Sequence, residues 1–280
     1  MIMKQQSKRK LKLITTDMNV SVAQREYIKS YLSMLKVVRI YQIVIMVVFI
    51  ALWELLTRLK IMDAFVFSSP SRVVKCFIDM AKDGSIFYHC GVTLAETFIS
   101  FALVIILGIG VAIILWWNEK VSRVLEPYLV VLNSLPKSAL APVFIVWLGN
   151  NMKTIIVAAV SVAVFGSILT LYTDFKNVED DKIKLIRTLG GTKKDVLWKV
   201  ILPANIPSII SVMKVNIGLS LVGVIIGEFL AAKAGLGYLI IYGSQVFKLD
   251  WVIMSIAILC VMATILYKIL ATIEKKYSHE

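Results

Sequence analysis

The chain has 280 residues, 59% of them hydrophobic, with a formal net charge of +13 at pH 7 and a mean hydropathy of +0.82. A soluble domain this apolar would expose large patches and aggregate, so an ordinary globular fold is excluded. Basic loops beside membrane spans account for the charge without nucleic acid as a partner.

Apolar runs near or above ~18 residues recur, long enough to cross a hydrocarbon layer as helices. The expected fold class is therefore all-α and polytopic. Residues 1–39 read as a basic, amphipathic N-terminal segment preceding a membrane domain over 40–280. In that segment Tyr27, Tyr31, Leu35 and Val38 share a helical face, with Arg25, Lys29 and Lys36 elsewhere. Such a helix would lie on an anionic leaflet or against the bundle. No continuous apolar stretch of signal-peptide type precedes residue 40, so the first span is expected to act as an uncleaved anchor.

Six spans are predicted, at 40–57, 92–116, 126–148, 154–173, 206–232 and 251–272. Between the first two, Ser69 and Pro70 open a short helix whose apolar stripe is Val74, Phe77, Ile78 and Ala81, and Gly84 ends it. Cys76, Cys90 and Cys260 form no CxxC pair; a Cys76–Cys90 disulfide outside the membrane is the alternative, but the sparse, odd count favours unpaired thiols. The third span is unlike a lipid-facing helix: Pro136 and Pro142 interrupt it, and Asn133, Ser134, Lys137 and Ser138 add polarity. Broken, polar segments at that depth are tolerated against protein or a water-filled cavity. Lys137 would either offer a cation to an anionic substrate or snorkel to the interface.

The connection 174–205 has unusual local order. Glu179, Asp180 and Asp181 suit a helix N-terminus and Arg187 suits its end. Ile183, Ile186 and Leu189 form one apolar edge. Gly190 and Gly191 permit a left-handed turn, and Thr192 with Asp195 reads as a capping box. A second helix then presents Val196, Leu197, Val200 and Ile201 against Lys193, Lys194 and Lys199, with Pro203 and Pro207 at the entry to the next span. The result is a helical hairpin, lying on lipid or offered to a partner. In the fifth span Gly223, Gly227 and Ala231 make a close-approach ridge. Lys214, Asn216 and Ser220 lie in its first half and Glu228 near its end, followed by a glycine turn at Gly235 and Gly237.

Lys and Arg number nine before the first span, two in 117–125, seven in 174–205 and two after 272, against five, one and two in the alternate loops. Both termini and the 174–205 loop are therefore expected on the cytoplasmic side of a cell membrane.

The stretch "IRTLGGTKKDVLWKVILPANIP" resembles the signature loop of permease subunits in binding-protein-dependent ABC importers. Gly190 and the Ile-Leu-Pro at 201–203 hold that signature's spacing, while Lys184, Leu185 and Ile186 stand where it has Glu-Ala-Ala. "NSLPKSALAPVFIVWLG" and "GEFLAAKAGLGYLI" are similar to nitrate/sulfonate/taurine-type permeases, and the likeness runs from about residue 40 onward. The resemblance implies a docking surface for a cytoplasmic ATPase at Ile183, Lys184, Ile186, Arg187, Leu189, Gly190, Gly191, Lys193, Leu202 and Pro203. It also implies two ATPase copies carrying ATP and Mg, a second permease copy, an extracytoplasmic binding protein, and a small solute such as a sulfonate, taurine or nitrate, or a vitamin precursor. The translocation pathway would be lined by Asn133, Ser134, Pro136, Lys137, Lys214, Asn216, Ser220 and Glu228.

Independently of the family, the chain contains no Gly-Lys dipeptide and so no phosphate loop of its own; ATP would be bound elsewhere. His89 and His279 are the only histidines, HExxH and G-x-S-x-G are absent, and no carboxylate pair is evident within the spans, so neither catalysis nor a bound cofactor is expected. The alternative is an ion-coupled secondary transporter or channel acting without an ATPase, which predicts titratable groups through several spans and inverted repeats. A non-transporting assembly factor would not need Pro136, Lys137 and Pro142 in mid-span.

Overall fold

The structure, a computed structural model, describes residues 21–277. The backbone separates into two compact units, residues 1–71 and 72–280; the expectations for residues 1–20 and His279 lie outside the described residues. In the first unit, α1 (Val22–Arg58) is capped by the Ser21 hydroxyl and runs uninterrupted through both the amphipathic stretch and the first predicted span. A single turn, α2 (Ala64–Phe67), follows under the Asp63 side-chain cap. Glu54 ties this unit together, pairing with Arg58 at 2.7 Å and accepting from the Ser71 amide and hydroxyl at 3.1 and 3.0 Å. The boundary falls in the first turn of α3 (Pro70–Lys82).

The second unit is a helix bundle. α4 (Ser85–Trp117) is followed by α5 (Glu119–Ser134) and α6 (Lys137–Leu148), then α7 (Met152–Lys176). Asn118 and Asn151 start α5 and α7 by accepting two backbone N–H groups each, the usual Asn cap. The polar connection contains α8 (Asp180–Thr188), α9 (Lys193–Val196), a π-turn at Leu197–Ile201 and α10 (Leu202–Ala204). α11 (Ile206–Ala231), α12 (Leu236–Gln245) and α13 (Leu249–Tyr277) complete it.

Among the described residues, five helices are long and apolar enough to cross a membrane, and α5 with α6 makes a sixth if the pair is one span. The third predicted span is thus not a single rod: it bends by 97° between Ser134 and Lys137, where Pro136 removes a donor and fixes its own φ.

α7 is the central helix. Its cytoplasm-expected end shares one apolar cluster with α4 and the connection: Ala112, Leu115, Leu171, Tyr172, Phe175, Val196, Leu197 and Ile201. That end of the bundle is the loop face. At the other end Met80, Ile86, Leu236, Leu239 and Met254 form a second cluster, and Ile155, Ala159, Val224 and Ala231 a third. Gly223 and Gly227 let α11 ride on α7: a Cβ on Gly223 would stand 2.6 Å from the Ala159 Cα, and one on Gly227 2.9 Å from the Ile155 Cα. The expected close-approach ridge is therefore real, and α7 is what it approaches. On α3, by contrast, the predicted stripe is split. Ala81, Val73 and Cys76 pack on the second cluster beside buried Met80, whereas Val74, Phe77 and Ile78 are exposed. Cys76, Cys90 and Cys260 are free thiols, and burial pushes the Cys76 thiol upward.

Candidate functional site

Three places gather the polar groups. The first is the hairpin on the loop face. α8 ends in a Schellman motif: the Gly191 N–H donates to the Ile186 carbonyl at 2.9 Å and the Gly190 N–H to the Arg187 carbonyl at 3.0 Å, with Gly190 at φ +82°. The next helix starts at once with the predicted capping box. The Thr192 N–H donates to Asp195 Oδ2 at 2.9 Å, and the Asp195 N–H to Thr192 Oγ1 at 3.3 Å. The Thr192 hydroxyl and amide hold the Asp195 carboxyl well below the usual carboxylate range, aided by Lys199 at 3.0 Å.

Lys193 fastens the hairpin to the bundle. Its Nζ donates to the Trp117 carbonyl at 2.5 Å and lies 5.6 Å from the ring centroids of both Trp116 and Trp117. The apolar edge divides here also. Ile183, Ile186 and Leu202 pack onto the first cluster, while Leu185, Leu189 and Trp198 are 60%, 75% and 62% exposed. Of the other nominated docking residues, Arg187 faces the cleft formed with Lys176, Glu119 and Glu126, and Lys184 pairs with Asp181 at 3.2 Å. Pro203 is exposed at the start of α10.

The second place is a cavity of about 310 Å3 between α5, α7 and α11. It brings together Asn133 and Asn216 from the predicted pathway, and adds Ser167, Thr170 and Ser211, which sequence reasoning missed. Asn216 is buried and its Nδ2 donates to Ser167 Oγ at 2.6 Å. The remaining nominated residues lie elsewhere. Ser134 bonds back to the Val130 carbonyl at 2.9 Å, and Lys137 donates to the Asn133 carbonyl just past the Pro136 bend. Lys214 is held by both Glu274 oxygens, at 2.6 and 2.8 Å, and stands over Tyr267. Ser220 is fully buried with its hydroxyl unpartnered.

The third place is opposite the loop face. Glu228, 1% exposed, accepts the Thr93 hydroxyl at 2.7 Å and the Gly237 N–H at 2.5 Å. Beside it lies Glu96, itself 2% exposed, with its Oε2 buried and without a hydrogen-bond partner. The expectation that the spans carry no carboxylate pair is thus corrected: each span supplies one member, on α4 and α11, and the pair forms only when they meet.

Three consecutive amides of the glycine turn are anchored there. Gly235 N–H goes to His89 Nδ1 at 3.0 Å, Leu236 N–H to Thr93 Oγ1 at 2.8 Å, and Gly237 N–H to Glu228. Gly235 has φ +113°, and a Cβ on either glycine would collide with the Glu228 side chain. From His89 a run of rings continues through Tyr238, Tyr242 and Trp251 at centroid spacings of 6.1, 5.6 and 6.0 Å. One signal for this site was available in the sequence: Thr93, Glu96, Thr97 and Ser100 make a polar stripe at helical spacing in an otherwise apolar helix.

Comparison with known proteins agrees with this architecture. Residues 104–278 match the family described as the binding-protein-dependent transport system inner membrane component. The formylaminopyrimidine transport permease protein ThiX of Halalkalibacterium halodurans is 32% identical over 188 residues, 67% of this chain and 74% of that protein. The taurine transport system permease protein TauC of Escherichia coli is 23% identical over 225 residues, 78% and 82% of the two chains. An inward-facing structure of the MetNI methionine ABC transporter superposes with a TM-score of 0.60 at 17% identity, covering 69% of this chain and 96% of that one; at that identity it bears on the fold alone. Among the described residues no cluster of His, Cys, Asp and Glu is fit to hold a metal ion. The chain is a multi-pass membrane component and a transport subunit rather than an enzyme: it belongs to the binding-protein-dependent inner membrane components, the permease subunits of ABC importers.

Proposed function

We propose that this chain, with a second copy of itself, forms the membrane pathway of an ATP-driven importer. A small polar nutrient is handed to it by an extracytoplasmic binding protein. Two cytoplasmic ATPase subunits, which hold ATP and Mg, drive it through the 174–205 hairpin. Both termini lie in the cytoplasm.

The observation that carries this reading is the build of the hairpin. Its two helices are joined by back-to-back caps, so the turn has little freedom to yield. One side is sunk in the cluster of Phe175, Leu171 and Ile201, and the other leaves Leu185, Leu189 and Trp198 uncovered. A partner gripping the exposed side would move α4 and α7 with it, because Lys193 and Ile186 fasten the hairpin to them. This is a contiguous mechanical route from a docking surface to the central helix of the bundle. Lys184 in place of the family's acidic residue alters the polar contacts of that surface, not its apolar knob.

The test is affinity purification from native membranes in mild detergent, with each co-purifying chain identified by mass spectrometry. An ATPase bearing a phosphate loop is expected, and it should be lost when residues 179–202 become a neutral linker. In the intact complex Gly190→Val should uncouple ATP hydrolysis from transport while the bundle remains folded. A chain that purifies alone and still transports without ATP would sink the reading, and would make Glu96 and Glu228 the coupling site of an ion-driven carrier.

A further inference from the structure

We infer that the cavity between α5, α7 and α11 accepts small polar solutes of zero net charge, recognised through amide and hydroxyl groups without a fixed counter-charge. The inference rests on the permease reading above and names the substrate class.

The cavity's depth comes first. Asn216 and Ser167 sit near the middle of α11 and α7, and they are bonded to each other there. The cavity is therefore level with the middle of the bundle. Its volume of about 310 Å3 is that of roughly ten waters, at ~30 Å3 each in the liquid. It lies at the small end of ligand pockets, which span ~300–1,000 Å3.

The polar lining is Asn133, Ser167, Thr170, Ser211 and Asn216, and none of the lining residues is ionisable. The groups are arranged, not merely present. Ser167 Oγ donates back to the Ala163 carbonyl at 2.7 Å, so it can only accept from Asn216, and this fixes the Asn216 amide. A Cβ on Gly166 would stand 3.3 Å from Asn133 Oδ1, so glycine at 166 gives the Asn133 amide its room against α7. Two carboxamides, each with a donor and an acceptor end, thus flank the space.

The cations that sequence reading put on the pathway do not serve this cavity. Lys214 is neutralised by Glu274 and faces α13. Lys137 donates to the Asn133 main-chain carbonyl and is not part of the lining. A lone anion or cation seated here would trade part of its hydration for amide and hydroxyl dipoles with no opposite charge in the lining, which disfavours it relative to a neutral solute. A net-neutral solute exchanges water hydrogen bonds for amide and hydroxyl ones at much smaller cost.

The experiment uses the whole transporter, this chain co-purified with its ATPase in membrane vesicles, after its three native cysteines are replaced by serine. Ser211→Cys, and separately Thr170→Cys, are labelled with three methanethiosulfonate reagents of similar size: neutral hydroxyethyl, anionic sulfonatoethyl and cationic trimethylammonioethyl. Rates are taken relative to those on a free small thiol. The neutral reagent should exceed both charged ones by about tenfold or more, a margin equivalent to one decade in rate. Adding Thr170→Lys to Ser211→Cys should raise the anionic rate selectively. Equal or faster anionic labelling of Ser211→Cys without the lysine would overturn the inference, as would cationic labelling at that level. Absence of labelling at both cysteines by all three reagents would remove the cavity from the pathway and overturn it too. Failure of the ATPase to co-purify is a separate outcome, which speaks against the importer reading and is scored before any labelling.

Discussion

The glycine turn opposite the loop face depends on Glu228 as an acceptor. Replacing Glu228 with alanine leaves the Thr93 hydroxyl and the Gly237 N–H, now bonded at 2.7 and 2.5 Å, without their partner in a site where Glu228 is 1% exposed. Each orphaned buried donor costs about 1–3 kcal/mol, and the void left by the carboxyethyl group adds to that. The expected loss is about 3–5 kcal/mol. Glu228→Gln keeps the volume and one oxygen but turns an NH2 toward one of the two donors, so it should lose about half as much. Glu96→Gln should be nearly silent, because it keeps the side chain's volume and neither of the two donors held by Glu228 bonds to Glu96.

At about 2–4 °C per kcal/mol for a bundle of this size, thermal unfolding of the purified protein should rank wild type and Glu96→Gln together. Glu228→Gln should lie below them, and Glu228→Ala lowest, by roughly 6–20 °C. Tryptic cleavage after exposed Lys233, in the chain just before the turn, should accelerate in the same order. Glu228→Gln as stable as wild type, or Glu96→Gln the more damaging of the two, would refute the assignment of Glu228 as the acceptor that holds the turn.

Three further expectations follow from single contacts. Gly223→Ala should cost about 1–3 kcal/mol by overpacking, since its Cβ meets the Ala159 backbone at 2.6 Å; Gly218→Ala, with nothing within 4 Å, should cost none, and equal melting temperatures for the two variants would contradict the close crossing of α7 and α11. Lys214→Met should destabilise by about 1–3 kcal/mol, as it leaves Glu274 half-buried and unpaired, and adding Glu274→Met should recover most of that loss; additive losses in that double-variant cycle would mean the pair is not coupled. The Asp195 carboxyl is depressed in the folded hairpin, so the capping box it stabilises is fully formed above the ordinary aspartate value of ~3.9 and is lost only as pH falls through a lower folded value. The Thr192 amide resonance should therefore titrate with a midpoint well under that of a free aspartate, and a midpoint near 4 would show that the box does not hold.

What the sequence made legible, and what it did not, divides by the range of the interactions. The Thr192–Asp195 box and the Gly190 turn were readable because every partner lies within five residues, and their geometry is the same in any fold. The interruption at Pro136 was also local, and its presence was visible. Its angle of 97° was not, because the direction of a chain after a proline is set by what the next helix packs on, here α7 and α11. Pairings between spans were the hardest. Glu228 stands out in the sequence as a polar residue near a helix end, yet Glu96 lies 132 positions earlier, and Glu274 lies 60 positions after Lys214.

In a soluble helix the apolar stripe reveals which face turns inward. In a span that is apolar all round it does not, because lipid and protein interior are alike to an aliphatic side chain. Only the polar residues break that degeneracy. On α4 the buried face is traced by Thr93, Glu96, Thr97 and Ser100, and on α11 by Asn216, Ser220 and Glu228. The rule for finding the inward face of such a helix is therefore the reverse of the soluble one: follow the small and polar residues at helical spacing. Applied to α7, it selects Ser167, whose partner is Asn216.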